Sequence, residues 1–504
     1  MKSQKGQALP MAIMALAIGA LVVAPFLSHA GTALLDSGIY AGEINTRSAG
    51  DAGVEHAIWR LVDSNLQTLI PNVGNQITYS LPEALNGLTP SITVTTTAKG
   101  SGTGGLAGTI NKTILDSLIF DATAGNTPSI VQVANGIYAI AYSQVNKGFL
   151  ATISVSANGS TINPVDSWLF DNAGCTEPDI IHVSADYFAI VYSKSNTDGE
   201  LITFTIASDG TISGTIKSHL KFDGKGGYEP DIIYVSGNYY AIAYRDSAND
   251  GWVETDTINP TTGVITSTGK TFKFSPDCYL PSIVQVSSTV YAVAYRGLNN
   301  GSLTTVSISL TNGTIANIHS PLVFDAASIF EPKIIQVSSG IYAIAYHGSS
   351  TGILKTYIIS ANGVTITSKD SFTFDIAVSY RPDIVQVESN TFAIAYGNSA
   401  NKGWLKTVTI ATDGTITQTA IGSFNFDATS CFEPSMIQIN GNVYGIAYRG
   451  SGNDGTFITI GISDGTVYPV NTYQIVSTAG NTSVRAVVNT QNVTATIVSW
   501  FVNP

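Results

Sequence analysis

The sequence predicts a mainly β protein: a seven-bladed β-propeller inserted into a small α+β domain, preceded by a long N-terminal membrane-spanning helix. Three observations predict it. The phrase YAIAY at 138–142 returns six more times, as FAIVY at 188, YAIAY at 240, YAVAY at 291, YAIAY at 342, FAIAY at 392 and YGIAY at 444. A segment matching the last strand of the repeat stands ahead of the first repeat. A stretch of about twenty uncharged residues, long enough to cross a bilayer, lies near the start of the chain.

The repeat reads F-D-x(5)-E-P-D-I-I-x-V-S-x(3)-Y-A-I-A-Y, then a polar turn, a strand such as WLKTVTIA, D-G-T-I, and a last strand ending in the next Phe. The anchors Phe120, Phe170, Phe222, Phe274, Phe324, Phe374 and Phe426 stand 50, 52, 52, 50, 50 and 52 residues apart. Each unit holds four strand candidates separated by Asn-Gly or Asp-Gly turns. Four strands at a fixed period indicate a propeller, with an open solenoid as the competitor. The segment LAGTINKTILDSLIF (106–120) separates the two. Ile110 to Phe120 spans ten residues, as do Ile212 to Phe222 and Ile416 to Phe426. The last unit supplies only PSMIQI, VYGIAYRG and TFITIGIS. The early strand is expected to complete it, closing a ring with no open edge.

Strand geometry explains the phrase. Tyr138, Ile140 and Tyr142 share one face, and Ala139 and Ala141 share the other. The large face of one blade is expected to fill the small face of its neighbour. The hydroxyls of Tyr142, Tyr192, Tyr244, Tyr295, Tyr346, Tyr396 and Tyr448 should find a partner or water near the strand end.

Strand candidates also flank the repeats. NQITYSL (75–81) and PSITVTTT (90–97) precede a small-residue linker, AKGSGTGGLA (98–107). Segments 473–477, 482–489 and 494–501 follow the repeats. Neither set makes a stable sheet alone, so both are expected in one sheet under a helix. The expected organisation is 1–30 leader and transmembrane segment, 31–100 helix and first strands, 101–468 propeller, and 469–504 returning strands.

Lys2 and Lys5 flank an apolar run from Ala8 to Leu27, which predicts a single pass with a cytoplasmic N-terminus and an extracellular bulk. Cleavage after Ser28-His29-Ala30 is the competing reading. Helical spacing continues through AGEINTRSAGDAGVEHAIWRLVDSNL. The basic leader ending in Gly6, the apolar helix, and GDAGVEHA at 50–57 resemble type IV pilin-like proteins, above all minor pilins of the PilX type, whose phrase is AEAG-(I/L/V)-E-x-A. The resemblance covers about sixty residues. It implies leader cleavage after Gly6 by a prepilin-type peptidase, and partners among other pilins or pilus assembly proteins. Such pilins carry Glu at the fifth mature position, where this chain, counted from Gln7, has Met11.

Only 12% of residues are charged, the net charge is −12, and no basic stripe is visible, which excludes nucleic acid as a partner. Cys175, Cys278 and Cys431 occupy matching places in different repeats, so they read as free thiols rather than disulfides. No ligand spacing for a metal appears and no cofactor is expected. The six histidines fall in unrelated repeat positions, and no catalytic motif is present. SNTDG, SANDG and SGNDG read as hairpin turns rather than calcium loops.

One set of residues stands out as a candidate ligand-binding site. Before the repeat proline come Glu177, Glu229, Glu331 and Glu433, with Arg381 in another blade. Tyr228, Phe330, Tyr380 and Phe432 directly precede this position, and Tyr279 holds the matching place in its blade. After the second-strand Tyr come Arg245, Arg296, His347 or Arg449. At one mouth, these groups can stack on and hydrogen-bond a sugar or a peptide. The structural alternative is that the Glu residues cap backbone N–H groups or pair with a neighbouring Arg. The Asp after each Phe reads as a turn former. The expected function is a cell-surface or pilus-associated display protein, whose propeller is a non-enzymatic adhesion module for a glycan or a protein surface ligand. A carbohydrate-active hydrolase or lyase and a purely structural pilus-tip subunit are the alternatives.

Overall fold

A computed structural model describes residues 39–63, 66–81, 83–99, 106–194, 198–224, 226–377, 379–463, 465, 471–480, 482–491 and 494–503. The leader and apolar run at 1–30 lie outside the described residues. Among the described residues, no helix is long and apolar enough to cross a membrane. The chain forms two compact units, Gly104–Thr466 and the pair Met1–Thr103 with Val467–Pro504.

Among its described residues, Gly104–Thr466 folds as seven four-stranded antiparallel sheets. We number them blades 1 to 7. Their innermost strands are Asn126–Ala134, Thr176–Ser184, Gly226–Ser236, Tyr279–Gln285, Phe330–Ser338, Ser379–Glu388 and Phe432–Asn440. Each of these strands packs on the next, and the seventh packs on the first, so the sheets form a closed, propeller-like ring. Blade 7 is composite. Its outer strand is Ile110–Asp121, which pairs antiparallel with Gly455–Ile462 in the register Ile110↔Ile462, Ser117↔Ile458 and Asp121↔Gly455.

The repeated phrase forms the seams between blades. Ala139 and Ala141 of blade 1 pack against Phe188, Ile190 and Tyr192 of blade 2. Ala343 and Ala345 meet Phe392, Ile394 and Tyr396 in the same way. The closing seam sets Ala447 against Tyr138, Ile140 and Tyr142. Blade 7 has Gly445 where the other phrases have Ala. A Cβ there would lie 2.4 Å from the Phe457 ring, and Phe457 replaces the Leu or Val of the other third strands. A larger side chain in one strand is thus accommodated by a smaller one in the next.

Two series of hydrogen bonds cross the seams. Tyr142, Tyr192, Tyr346, Tyr396 and Tyr448 donate to the aspartates beside the preceding Phe anchors, at 2.8, 2.8, 2.6, 2.5 and 2.9 Å. The other oxygen of these aspartates accepts turn N–H groups: the Ala377 N–H, for example, donates to Asp375 Oδ1 at 3.0 Å. The Asp residues are therefore turn formers, as the sequence suggested, and also the partners of the tyrosines. Deeper in the seams, Thr152, Thr305 and Thr459 donate to the carbonyls of Gly210, Gly363 and Gly159 at 2.7, 2.7 and 2.6 Å. Cys175, Cys278 and Cys431 are free and fully buried. Burial pushes their thiols well above the usual range.

In the second unit, Gln76–Ser80, Ser91–Lys99, Asn471–Ala479, Thr482–Gln491 and Thr494–Asn503 form one five-stranded sheet in that spatial order. Helix α1, Ile39–Asp63, covers one face through Val54, Ala57 and Leu61, which pack with Ile92, Val94 and Ile475. Its approach is close: a Cβ at Gly53 would stand 2.1 Å from Ser477 Oγ. Part of the GDAGVEHA phrase thus has a local packing reason.

Candidate functional site

The innermost strands all begin with the same irregularity. In every blade the residue before the repeat proline has positive φ: 45° at Thr127, 52° at Glu177, 54° at Glu229, 49° at Leu280, 54° at Glu331, 41° at Arg381 and 55° at Glu433. Non-glycine residues avoid this region, at a cost of roughly 1–3 kcal/mol each. The register skips there, as between Tyr228 and Asp231, which is a β-bulge. The seven pre-proline side chains line an axial funnel of about 460 Å³. All four predicted glutamates and Arg381 lie in this ring. Thr127 and Leu280 complete it.

A second layer lies one step along the strands: Ser129, Asp179, Asp231, Ser282, Lys333, Asp383 and Ser435. Sequence reading placed these in the E-P-D motif without assigning them a role. In the two layers, seven carboxylates face two cations, a formal excess of five negative charges.

Much of this charge is engaged by the ring itself. Glu229, Glu331 and Glu433 each accept the backbone N–H of the next blade's pre-proline residue, Leu280, Arg381 and Thr127, at 2.7, 2.6 and 2.8 Å. Asp179, Asp231 and Asp383 do the same one layer down, from Ile232, Ile283 and Met436 at 3.1, 2.7 and 2.7 Å. Arg381 bridges Glu331 at 3.0 Å, Glu177 at 3.1 Å across the funnel and Glu433 at 3.8 Å. Glu229, Glu331 and Glu433 thus cap N–H groups, and Glu177, Glu331 and Glu433 pair with Arg381, the structural alternative read from the sequence.

The electrostatics follow. Burial, then the charge of Glu229, pushes Glu177 up to about 7, with Arg381 working against them. Burial and Asp231 push Asp179 up to about 6, with Lys333 opposing. Lys333 is held well above its usual range, chiefly by Asp231.

The predicted aromatics do not line the funnel. They form a ladder around its mouth. Tyr228, Tyr279, Phe330 and Phe432 are the cross-strand partners of Arg245, Arg296, His347 and Arg449 in their own blades. Cations also reach the next blade's ring. Arg245 lies 4.7 Å from the Tyr228 ring and 4.9 Å from Tyr279. Arg296 lies 5.0 Å from Tyr279 and 4.2 Å from Phe330. His347 stacks on Phe330 at 5.1 Å and meets Tyr380 edge-on at 5.4 Å. Arg449 covers Phe432 at 4.3 Å. The ladder is one-sided, because blades 1 and 2 have Asn126 with Ser143 and Thr176 with Ser193 at these places.

No protein-family model matches the chain, and neither does any curated protein. Solved structures similar to it include a putative 6-phosphogluconolactonase from Bacteroides fragilis, at 12% identity, TM-score 0.46, covering 60% of this chain and 88% of that one. The periplasmic gluconolactonase of Pseudomonas aeruginosa is similar at 10% identity, TM-score 0.45, covering 68% and 98%. The WD40 domain of Toxoplasma gondii coronin is similar at 10% identity, TM-score 0.44, covering 80% and 92%.

Proposed function

We propose that the chain is a cell-surface or pilus-associated display protein whose seven-bladed propeller binds a glycan, without chemistry, at the laddered side of its mouth. One observation carries this reading: the funnel carboxylates are largely engaged with backbone N–H groups and Arg381, whereas the rings of blades 3 to 7 are partly exposed and those of blades 3, 4, 5 and 7 lie under arginine guanidiniums. Rigid aromatic edges beside fixed cations suit saccharide recognition. In this reading the helix-and-sheet unit is a pilin-like head, and the apolar segment at 8–27 anchors it with the N-terminus inside.

Glycan-array binding of the full chain tests the proposal. The Tyr228→Ala/Tyr380→Ala double variant should lose the signal while its melting temperature stays near the parent's. Retention of full binding would refute the mouth as the site. N-terminal sequencing of the mature protein tests the anchor: a start at Gln7 supports pilin-type processing, and a start at Gly31 opposes it. A hydrolase is the second reading, favoured by Glu177, whose carboxyl near 7 suits a general acid. Turnover of an array-positive glycan, abolished in Glu177→Gln, would replace the binding reading with it.

A further inference from the structure

The ladder has one rung whose cation is left unpaired. In blade 3 the guanidinium of Arg245 is clamped by Glu229 at 3.2 Å and by Asn249 Oδ1 at 2.8 Å. In blade 7 Arg449 is clamped by Glu433 at 3.4 Å and by Asn453 Oδ1 at 3.0 Å. Blade 4 keeps the arginine and loses both clamps. Leu280 stands where the glutamate would be, and Asn300 Oδ1 accepts the Ser302 hydroxyl at 2.8 Å instead. Arg296 Nε is buried with no hydrogen-bond partner among the described residues. The guanidinium is nevertheless held in place, between the Tyr279 and Phe330 rings at 5.0 and 4.2 Å.

A ring nitrogen without a partner among the described residues stands beside it. His347 occupies the arginine's place in blade 5, is only 7% exposed, and stacks on the same Phe330 ring. Its Nδ1 is buried with no hydrogen-bond partner among the described residues. The adjacent glutamates cannot serve these groups without giving up existing bonds, because Glu229 holds Arg245 and the Leu280 N–H, and Glu331 holds Arg381.

A guanidinium fixed by stacking, whose Nε has no partner among the described residues, is preorganised for an oxyanion, and a carboxylate matches its two-donor geometry. We infer that the blade 4 sector of the mouth is a carboxylate receptor, in which Arg296 takes the carboxylate of a uronate residue and His347 supplies a second donor. This deepens the glycan-binding reading and rests on it. The acidic funnel does not attract such a ligand at long range. Screening over about 8 Å at physiological salt leaves recognition to contact with Arg296 itself.

The test is saturation-transfer NMR titration of the full chain with D-glucuronate, D-glucose, acetate and N-acetyl-L-glutamate. D-glucuronate should bind at least about tenfold more tightly than the other three, as expected for a charge-assisted hydrogen bond added to sugar contacts. Arg296→Gln should remove that advantage. Leu280→Glu should remove it too, by supplying the clamp seen in blades 3 and 7, and it does so without deleting the cation or its stacking. Equal binding of D-glucuronate and D-glucose would overturn the receptor, as would an advantage that survives Leu280→Glu in a normally melting protein. N-acetyl-L-glutamate binding as well as D-glucuronate would overturn the saccharide assignment. If D-glucuronate fails while Tyr228- and Tyr380-dependent array binding persists, this inference alone falls. If both fail, the mouth reading falls with it.

Discussion

The seam between blades 5 and 6 and the seam between blades 2 and 3 share one template and differ sharply in charge. In the first, Ala343 and Ala345 pack against Phe392, Ile394, Tyr396 and Val408. In the second, Ala189 and Val191 pack against Tyr240, Ile242, Tyr244 and Ile258. The third strands that face these seams carry Lys406 and Val408 in blade 6, and Glu254 and Asp256 in blade 3. Lys406 reaches the Phe374 carbonyl. Glu254 Oε2 and both Asp256 carboxylate oxygens are buried with no partner in hydrogen-bonding geometry among the described residues. The first of the two positions lets a long side chain reach a polar rim. The second is enclosed, and the other blades fill it with Ile153, Phe204, Val306, Tyr357, Val408 and Ile460.

Burial therefore pushes both carboxyls up. Glu254 rises to about 9, with Asp256 and Asp223 adding to the effect, and Asp256 rises to about 7, with Ser267 and the Thr268 amide offsetting burial in part. One seam of the ring thus buries two carboxyls that hold their protons more tightly than usual, while its counterpart between blades 5 and 6 is filled by apolar side chains.

The largest expected effect falls on the packed seam. Ala343→Leu should cost about 3 kcal/mol, because the fully buried Ala face has no room for the added atoms. Ser349→Leu, at an exposed turn, should stay within roughly 0.5 kcal/mol. Equal losses in denaturant unfolding would break the contrast. Asp256→Val, which copies Val408, should stabilise the chain by about 2 kcal/mol by removing an unpartnered buried carboxyl. A loss of stability would show that the acid has a partner the seam needs.

The pH dependence sharpens the same comparison. The folded-state values of Glu254 and Asp256 lie above their ordinary 4.5 and 3.8, so the folded protein holds these protons more tightly. Stability should fall as pH rises from those ordinary values through about 7 and about 9. Melting temperatures measured from pH 4 to pH 9 should decline less steeply for Asp256→Val than for the parent. A smaller change within a seam, Thr305→Val, should cost about 1 kcal/mol, since the Gly363 carbonyl loses its donor while seam volume is nearly unchanged.

The ring was legible because its signal is periodic. Seven Phe anchors, alternation of large and small in Tyr-Ala-Ile-Ala-Tyr, and ten residues from Ile110 to Phe120 specified strands, faces and the closing strand. The candidate site was legible only in part. Glu177, Glu229, Glu331 and Glu433 could be picked out by their place before proline, but Asp179, Asp231 and Lys333 were hidden inside the same motif. The aromatics were expected at the mouth beside the carboxylates, and they stack there one layer outward from the glutamates, because the bulge at the pre-proline residue turns that residue, and not its neighbour, toward the axis.

The sequence by itself determined the period of the ring, the two faces of each phrase and the strand that closes it, since each depends on spacing along a strand or between neighbouring repeats. Only the tertiary structure decided which charges are neutralised. Arg381 meets Glu177 across 204 residues, and Glu433 caps the N–H of Thr127 across 306. Closing the ring creates these pairs between residues with no local relation, and leaves Arg296 Nε, at the place of the clamped Arg245 and Arg449, without a hydrogen-bond partner among the described residues.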